Sequence, residues 1–167
     1  MICSIAFLPV FAEHDFAKDV LFETAVQAVV KRAAEEEALN AFEVEITFVD
    51  DAFMQELNKE YRDMDKTTDV LSFPANTLTQ PWQNEIAAGL VPEPGEEGAY
   101  LGELYISLPQ AARQAEEYGN TEQEEILFLV AHGMLHLLGY DHETSEEEAA
   151  MRQKQRIILN RTKGEIE

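Results

Sequence analysis

A chain of 167 residues, 46% of them hydrophobic, can bury a core within one domain spanning 1–167, and its single cysteine, Cys3, excludes an internal disulfide. With 12 Lys and Arg against 33 Asp and Glu, the net charge of −21 repels phosphate backbones at long range, so most carboxylates are expected on a solvated surface. No apolar run is long enough to cross a bilayer and the lone thiol suits a reducing compartment, which together point to a cytoplasmic protein without a membrane anchor.

The opening stretch lacks the basic leading region of a signal peptide, and Ile2 to Leu8, closed by Pro9, is read as a buried strand. Asp15 can cap the next segment, where Phe22, Val26, Val29, Val30 and Ala33 recur at helical spacing within Phe16 to Leu39. The Glu35 to Glu37 run near its end is expected to be a solvated face that opposes the helix dipole and lets the end fray. In Phe42 to Val49, FEVEITFV, the apolar positions alternate with polar ones, giving a half-buried strand with one wet face. Asp50 and Asp51 supply an N-cap for a helix ending at Arg62, with Phe53, Leu57 and Tyr61 on a common face.

Thr67 to Pro74, TTDVLSFP, reads as a short strand stopped by proline. Ala75 to Gly98, rich in proline, is read as a long surface loop, with disorder as the alternative and Trp82 as its anchor or as a stacking surface for a ligand. Tyr100 to Leu108 forms another strand, and Pro109 leads into a helix stopped by Gly119. Thr121 and Glu124 make a capping box before ILFLVAHGMLHLL, a helix apolar enough to lie inside the domain. A second box, Thr144 and Glu147, opens a last helix to about Asn160.

The chemistry is concentrated between His132 and His142, which hold three of the four histidines. His132 and His136 lie four apart on one helical face, and Gly139 breaks the helix so that His142 can return. Two buried imidazoles need partners, and a third behind a glycine turn supplies a common one: a metal ion on three nitrogens with a fourth position open. Zinc leads, although imidazole also suits other divalent transition metals. Such an ion activates water near neutral pH, which favours hydrolysis. A zincin peptidase carries a glutamate general base after its first histidine, whereas this chain has Gly133. Arg62 could hold and stabilise a phosphate, or could be a surface ion-pair partner.

Asn58, Tyr61 and Arg62, then Thr68-Asp69-Val70-Leu71-Ser72-Phe73-Pro74, then Leu101-Gly102 with Ile106-Ser107, and finally His132-Gly133-x-Leu135-His136-Leu137-x-Gly139-Tyr140-Asp141-His142 resemble the YbeY family of bacterial metal-dependent endoribonucleases of rRNA maturation. The resemblance covers nearly the whole chain. It implies an α+β fold with a small, mostly parallel four-stranded sheet packed by about five helices. It also implies one zinc ion on His132, His136 and His142, Arg62 as the catalytic residue, and Thr68, Asp69 and Ser72 as residues that shape the cleft. The implied activity is single-strand-specific cleavage in 16S rRNA 3′-end maturation and ribosome quality control, with precursor rRNA and the small ribosomal subunit as partners; the acidic surface itself suits basic ribosomal proteins. The chain departs from the family at Glu103, where aspartate is common, and in its acidity. The competing readings are a ribosome-assembly factor with a structural metal and a zinc hydrolase of another substrate class.

Overall fold

The computed structural model describes residues 1–76, 78, 81–82, 84 and 99–166, with side chains described to residue 162. Four strands, β1 (Ile2–Phe7), β2 (Phe42–Val49), β3 (Val70–Pro74) and β4 (Ala99–Ser107), form one sheet in the order β1-β2-β4-β3. The β1–β2 and β2–β4 pairs are parallel and β3 runs antiparallel to β4, so the sheet is mostly parallel within an α+β fold. Six α-helices lie among the described residues: α1 (Asp15–Lys18), α2 (Val20–Glu36), α3 (Asp51–Arg62), α4 (Leu108–Tyr118), α5 (Glu122–Leu137) and α6 (Ser145–Ile166).

Strand alternation produces two cores. Val44, Ile46 and Phe48 of β2 and Leu104 and Ile106 of β4 pack with Phe22, Val26 and Val30 of α2 and with Val130 and Met134 of α5. On the opposite face, Val49 and Leu71 close on Met54 of α3. The long apolar helix is thus interior, as its composition requires. Gly133 explains its close approach to the sheet: a Cβ there would lie 2.8 Å from Leu104 Cδ2 and 3.4 Å from Val70 Cγ2. Gly102, at φ +128°, serves a similar end between β3 and β4, since a Cβ would meet Phe73 O at 2.2 Å.

Several expectations change in three dimensions. β1 is an edge strand whose residues alternate between exposed and half-buried, rather than a buried one. The expected helix from Phe16 to Leu39 is divided at Asp19, whose carboxylate caps α2 by accepting from the Leu21 N–H at 2.9 Å, while His14 rather than Asp15 caps α1. In α3 the buried positions are Met54 and Asn58, while Phe53 and Tyr61 share the expected face toward β4 and β3 yet stay exposed, with ring centroids 6.0 Å from Tyr105 and 5.0 Å from Phe73 respectively. The last helix continues beyond Asn160 to Ile166; Thr144 Oγ1 accepts from the Glu147 N–H at 3.1 Å, the expected capping contact.

The acidic run at the end of α2 is a docking site rather than a solvated face. Glu36 accepts from Lys154 at 3.1 Å and from Arg161 at 2.8 Å, and Glu37 is only 4% exposed and accepts from the Tyr140 hydroxyl. Opposite charge on α6 therefore offsets the unfavourable helix dipole. Trp82 is 2% exposed within the main core, and its backbone N–H donates to Leu138 O at 2.8 Å, which makes it an anchor for the chain beside α5. Most of the long loop read over 75–98 lies outside the described residues.

Candidate metal centre and cleft

Helix α5 starts with a complete capping box, in which Thr121 Oγ1 accepts from the Glu124 N–H at 3.1 Å and Glu124 accepts from the Thr121 N–H at 3.0 Å. Its other end is closed at Leu138, after which Gly139 takes φ +96° and the chain turns back. This local geometry converts the 132/136/142 spacing into a cluster whose three candidate ligand atoms all lie within 4.8 Å of one another.

The imidazole tautomers suit a cation. His136 Nδ1 lies 3.0 Å from Tyr140 O, and because a carbonyl only accepts, Nδ1 carries the proton and Nε2 keeps its lone pair. Gln155 donates to Phe128 O at 3.2 Å, leaving its own carbonyl to accept from the His132 ring, and this bond favours protonation there. The two Nε2 atoms stand 3.1 Å apart. Nitrogens bound at about 2.0–2.1 Å to one tetrahedral ion are about 3.3 Å apart, so the donor set fits zinc. Burial, reinforced by His136, pushes His132 down to about 4, while burial and His142 lower His136. Both rings are neutral near pH 7, the form that ligates metal.

The histidines border an open cleft of about 750 Å³ that also includes Arg62, Thr68, Asp69 and Ser72. Arg62 is exposed at the end of α3, and among the described residues it has no ion-pair partner. Its position is fixed by a staple at the end of α3: the buried Asn58 side chain donates to Lys66 O at 2.9 Å, and the Asn58 backbone carbonyl accepts from the N–H groups of Asp63, left-handed at φ +55°, and of Met64. Asp69 Oδ1 accepts from the Val70 N–H at 2.7 Å and Thr68 Oγ1 at 3.4 Å, and Oδ2 accepts from Gln114 at 3.3 Å. Ser72 donates to Gly133 O at a long 3.5 Å, tying β3 to α5. Thr68, Asp69 and Ser72 thus line the cleft beside the histidines.

Two supporting residues were not evident from spacing. Asp51 accepts from both terminal guanidinium nitrogens of Arg113 at 2.9 Å and from the hydroxyls of Thr67 and Ser107 at 3.1 Å, which joins α3 to α4, to the end of β4 and to the segment that leads into β3. Arg113 is thereby held by Asp51. Glu125, 2% exposed in α5, accepts from Gln114 at 2.9 Å and continues the network that holds Asp69. A carboxylate in the first turn of an apolar helix was the available signal, but its partner comes from α4.

A sequence-family profile described as Endoribonuclease YbeY matches residues 12–163. Proteins named Endoribonuclease YbeY include one from Desulforamulus reducens, 47% identical over 137 residues that cover 81% of this chain and 83% of its own. Another, from Thermoanaerobacter sp. strain X514, is 43% identical over 149 residues, covering 89% and 92% respectively. The solution structure of the Thermotoga maritima protein TM1509 aligns with 98% of this chain and 91% of its own at a TM-score of 0.62 and 27% identity.

Proposed function

Because the chain belongs to the Endoribonuclease YbeY family, we propose that it is a zinc-dependent, single-strand-specific endoribonuclease of 16S rRNA 3′-end maturation and ribosome quality control. In this reading His132, His136 and His142 hold one zinc ion, Arg62 is the catalytic arginine, and precursor rRNA within the small ribosomal subunit is the substrate in the cytoplasm. The observation that carries it is the convergence of three imidazole donors within 4.8 Å in a cleft that also contains an uncommitted arginine. Zinc, when bound, supplies Lewis acidity toward a phosphoryl oxygen and a means of generating a nucleophile at neutral pH. Arg62 binds non-bridging phosphate oxygens through paired N–H donors and stabilises the charge that develops on them. The Tyr140 carbonyl and Gln155 hold the two helix histidines in orientation.

Peptide hydrolysis is disfavoured by Gly133, which faces Leu104 and leaves no room for a carboxylate. A purely structural metal is disfavoured by the exposed His142 and by the open cleft, since structural zinc sites are closed by four protein ligands. The acidic surface supports contact with basic ribosomal proteins as a second mode of recruitment.

Metal analysis together with cleavage of single-stranded RNA tests the reading on the wild type, the His132→Ala, His136→Ala and His142→Ala variants, and Arg62→Glu. The wild type is expected to carry one zinc per chain, and each histidine variant to lose metal and cleavage together. Arg62→Glu is expected to keep its zinc and fold while losing about 10²–10³-fold in rate. Cleavage that survives removal of all three histidines would exclude the enzyme reading.

A further inference from the structure

His132 and His142 border a second cleft, of about 550 Å³, that opens between α5 and α6. Its apolar part comprises Phe128, Met151 and Leu159, and its polar part includes Arg152 and Arg156. Phe128 is 44% exposed although most apolar residues of its helix are buried, and it stands one helical turn before His132. Met151 is buried beneath the same cleft. An accessible aromatic face one turn from the candidate metal centre has no packing role that requires its exposure.

Charge distinguishes the two clefts. Around the first, Arg62 is outnumbered by Asp69, Asp141, Glu143 and Glu147. Around the second, Arg152 and Arg156 outnumber Glu148. Arg152 pairs with Glu148 at 2.6 Å in an exposed contact of the kind that is readily exchanged. Arg156 is exposed and has no ion-pair partner among the described residues. On a chain of net charge −21, two arginines beside an exposed aromatic ring form a local site for an anion that carries a flat ring.

We propose that this second cleft binds one nucleotide of single-stranded RNA immediately beside the phosphate at the histidines, its base stacked on Phe128 and its phosphate on Arg156, with Arg152 exchanging from Glu148. The proposal rests on the ribonuclease reading and deepens it. A base reaches Phe128 only when unstacked from its neighbours and unpaired, so the cleft supplies a physical cause for preference for single strands. The RNA chain then passes between Arg62 on one side and Arg156 on the other, across the three histidines.

The test uses the zinc-loaded full chain and a labelled, uncleavable single-stranded oligonucleotide of about 12 nucleotides, within the span of single-strand clefts. A hairpin of the same composition is the second probe, and anisotropy is read as a function of salt. Phe128→Ala is expected to weaken single-strand binding about 5- to 100-fold, the range of one lost base stack, and to leave hairpin binding unchanged. Arg156→Glu is expected to lower the salt slope by roughly 0.7, one phosphate contact. In cleavage assays both raise KM more than they lower kcat, with zinc content retained. Arg156 is exposed, so its variant tests the site even if Phe128→Ala disturbs packing. Wild-type protein that neither binds nor cleaves single-stranded RNA overturns this proposal and the ribonuclease reading together. Wild type that binds and cleaves, with affinity and salt slope unchanged in both variants, overturns the second-cleft proposal alone.

Discussion

At the scale of single residues, Gly133 carries two meanings that only coordinates separate. In the sequence it is a missing general base; in the fold it is the point where α5 rests on Leu104. Gly133→Glu would drive a carboxylate into a buried leucine, and a loss of about 3 kcal/mol or more in urea unfolding is expected, with no peptidase activity gained. His132 gives a pH signature in the metal-free protein. Its folded pKa of about 4 lies below its ordinary value near 6.5, so the unfolded chain binds the proton more readily. Stability is therefore full above about pH 6.5 and falls as pH is lowered toward 4, by on the order of 2–3 kcal/mol for this group. Chelator-treated protein unfolded in urea across this range checks the sign. Cys3 plays no comparable part: burial, with Glu23 nearby, pushes its thiol up to about 12, the inert state expected of a lone cysteine.

Among the elements, the end of α2 is the most informative junction. Leu39 N–H donates to Ala34 O at 2.9 Å and Ala38 N–H to Glu35 O at 3.0 Å, a Schellman closure with Ala38 in the left-handed region at φ +58°. Glycine is the residue that suits this position, so Ala38→Gly is expected to raise stability by about 1 kcal/mol, seen as an increase of about 2–4 °C in the thermal midpoint. The same junction holds α6 through Glu36 and ties Glu37 to Tyr140, the residue whose carbonyl orients His136. The expectation of a frayed, solvated end failed for a definite reason. The compensating cations lie more than 100 positions later in the chain, and nothing local in EEE announces them.

For the whole molecule, charge is the governing quantity. A net charge of −21 on 167 residues repels itself, and screening relieves that repulsion. Raising salt from about 0.01 M to about 0.15 M shortens the Debye length from roughly 30 to 8 Å and is expected to raise the unfolding midpoint of the metal-free protein. A midpoint that fell would show that local ion pairs, such as Arg113 with Asp51, outweigh the global repulsion. On the proposed phosphate contacts with Arg62 and Arg156, RNA binding should respond oppositely and weaken as salt rises.

The elements that depend on near neighbours were legible in sequence: the alternation of FEVEITFV, the Thr121–Glu124 box, the Gly119 stop, and the glycine turn that returns His142 to His132 and His136. Their causes lie within a few residues, where pleat, helical pitch and backbone sterics act. Tertiary structure decided what depends on distant partners: the edge position of β1, the burial of Asn58, the pairing of Arg113 with Asp51, and the docking of Glu36 and Glu37. It also brought Arg62 to the same cleft as the histidines, and Arg156 beside Phe128. A helix period shows which residues share a face but not what that face meets, because the meeting depends on how the whole chain closes its core.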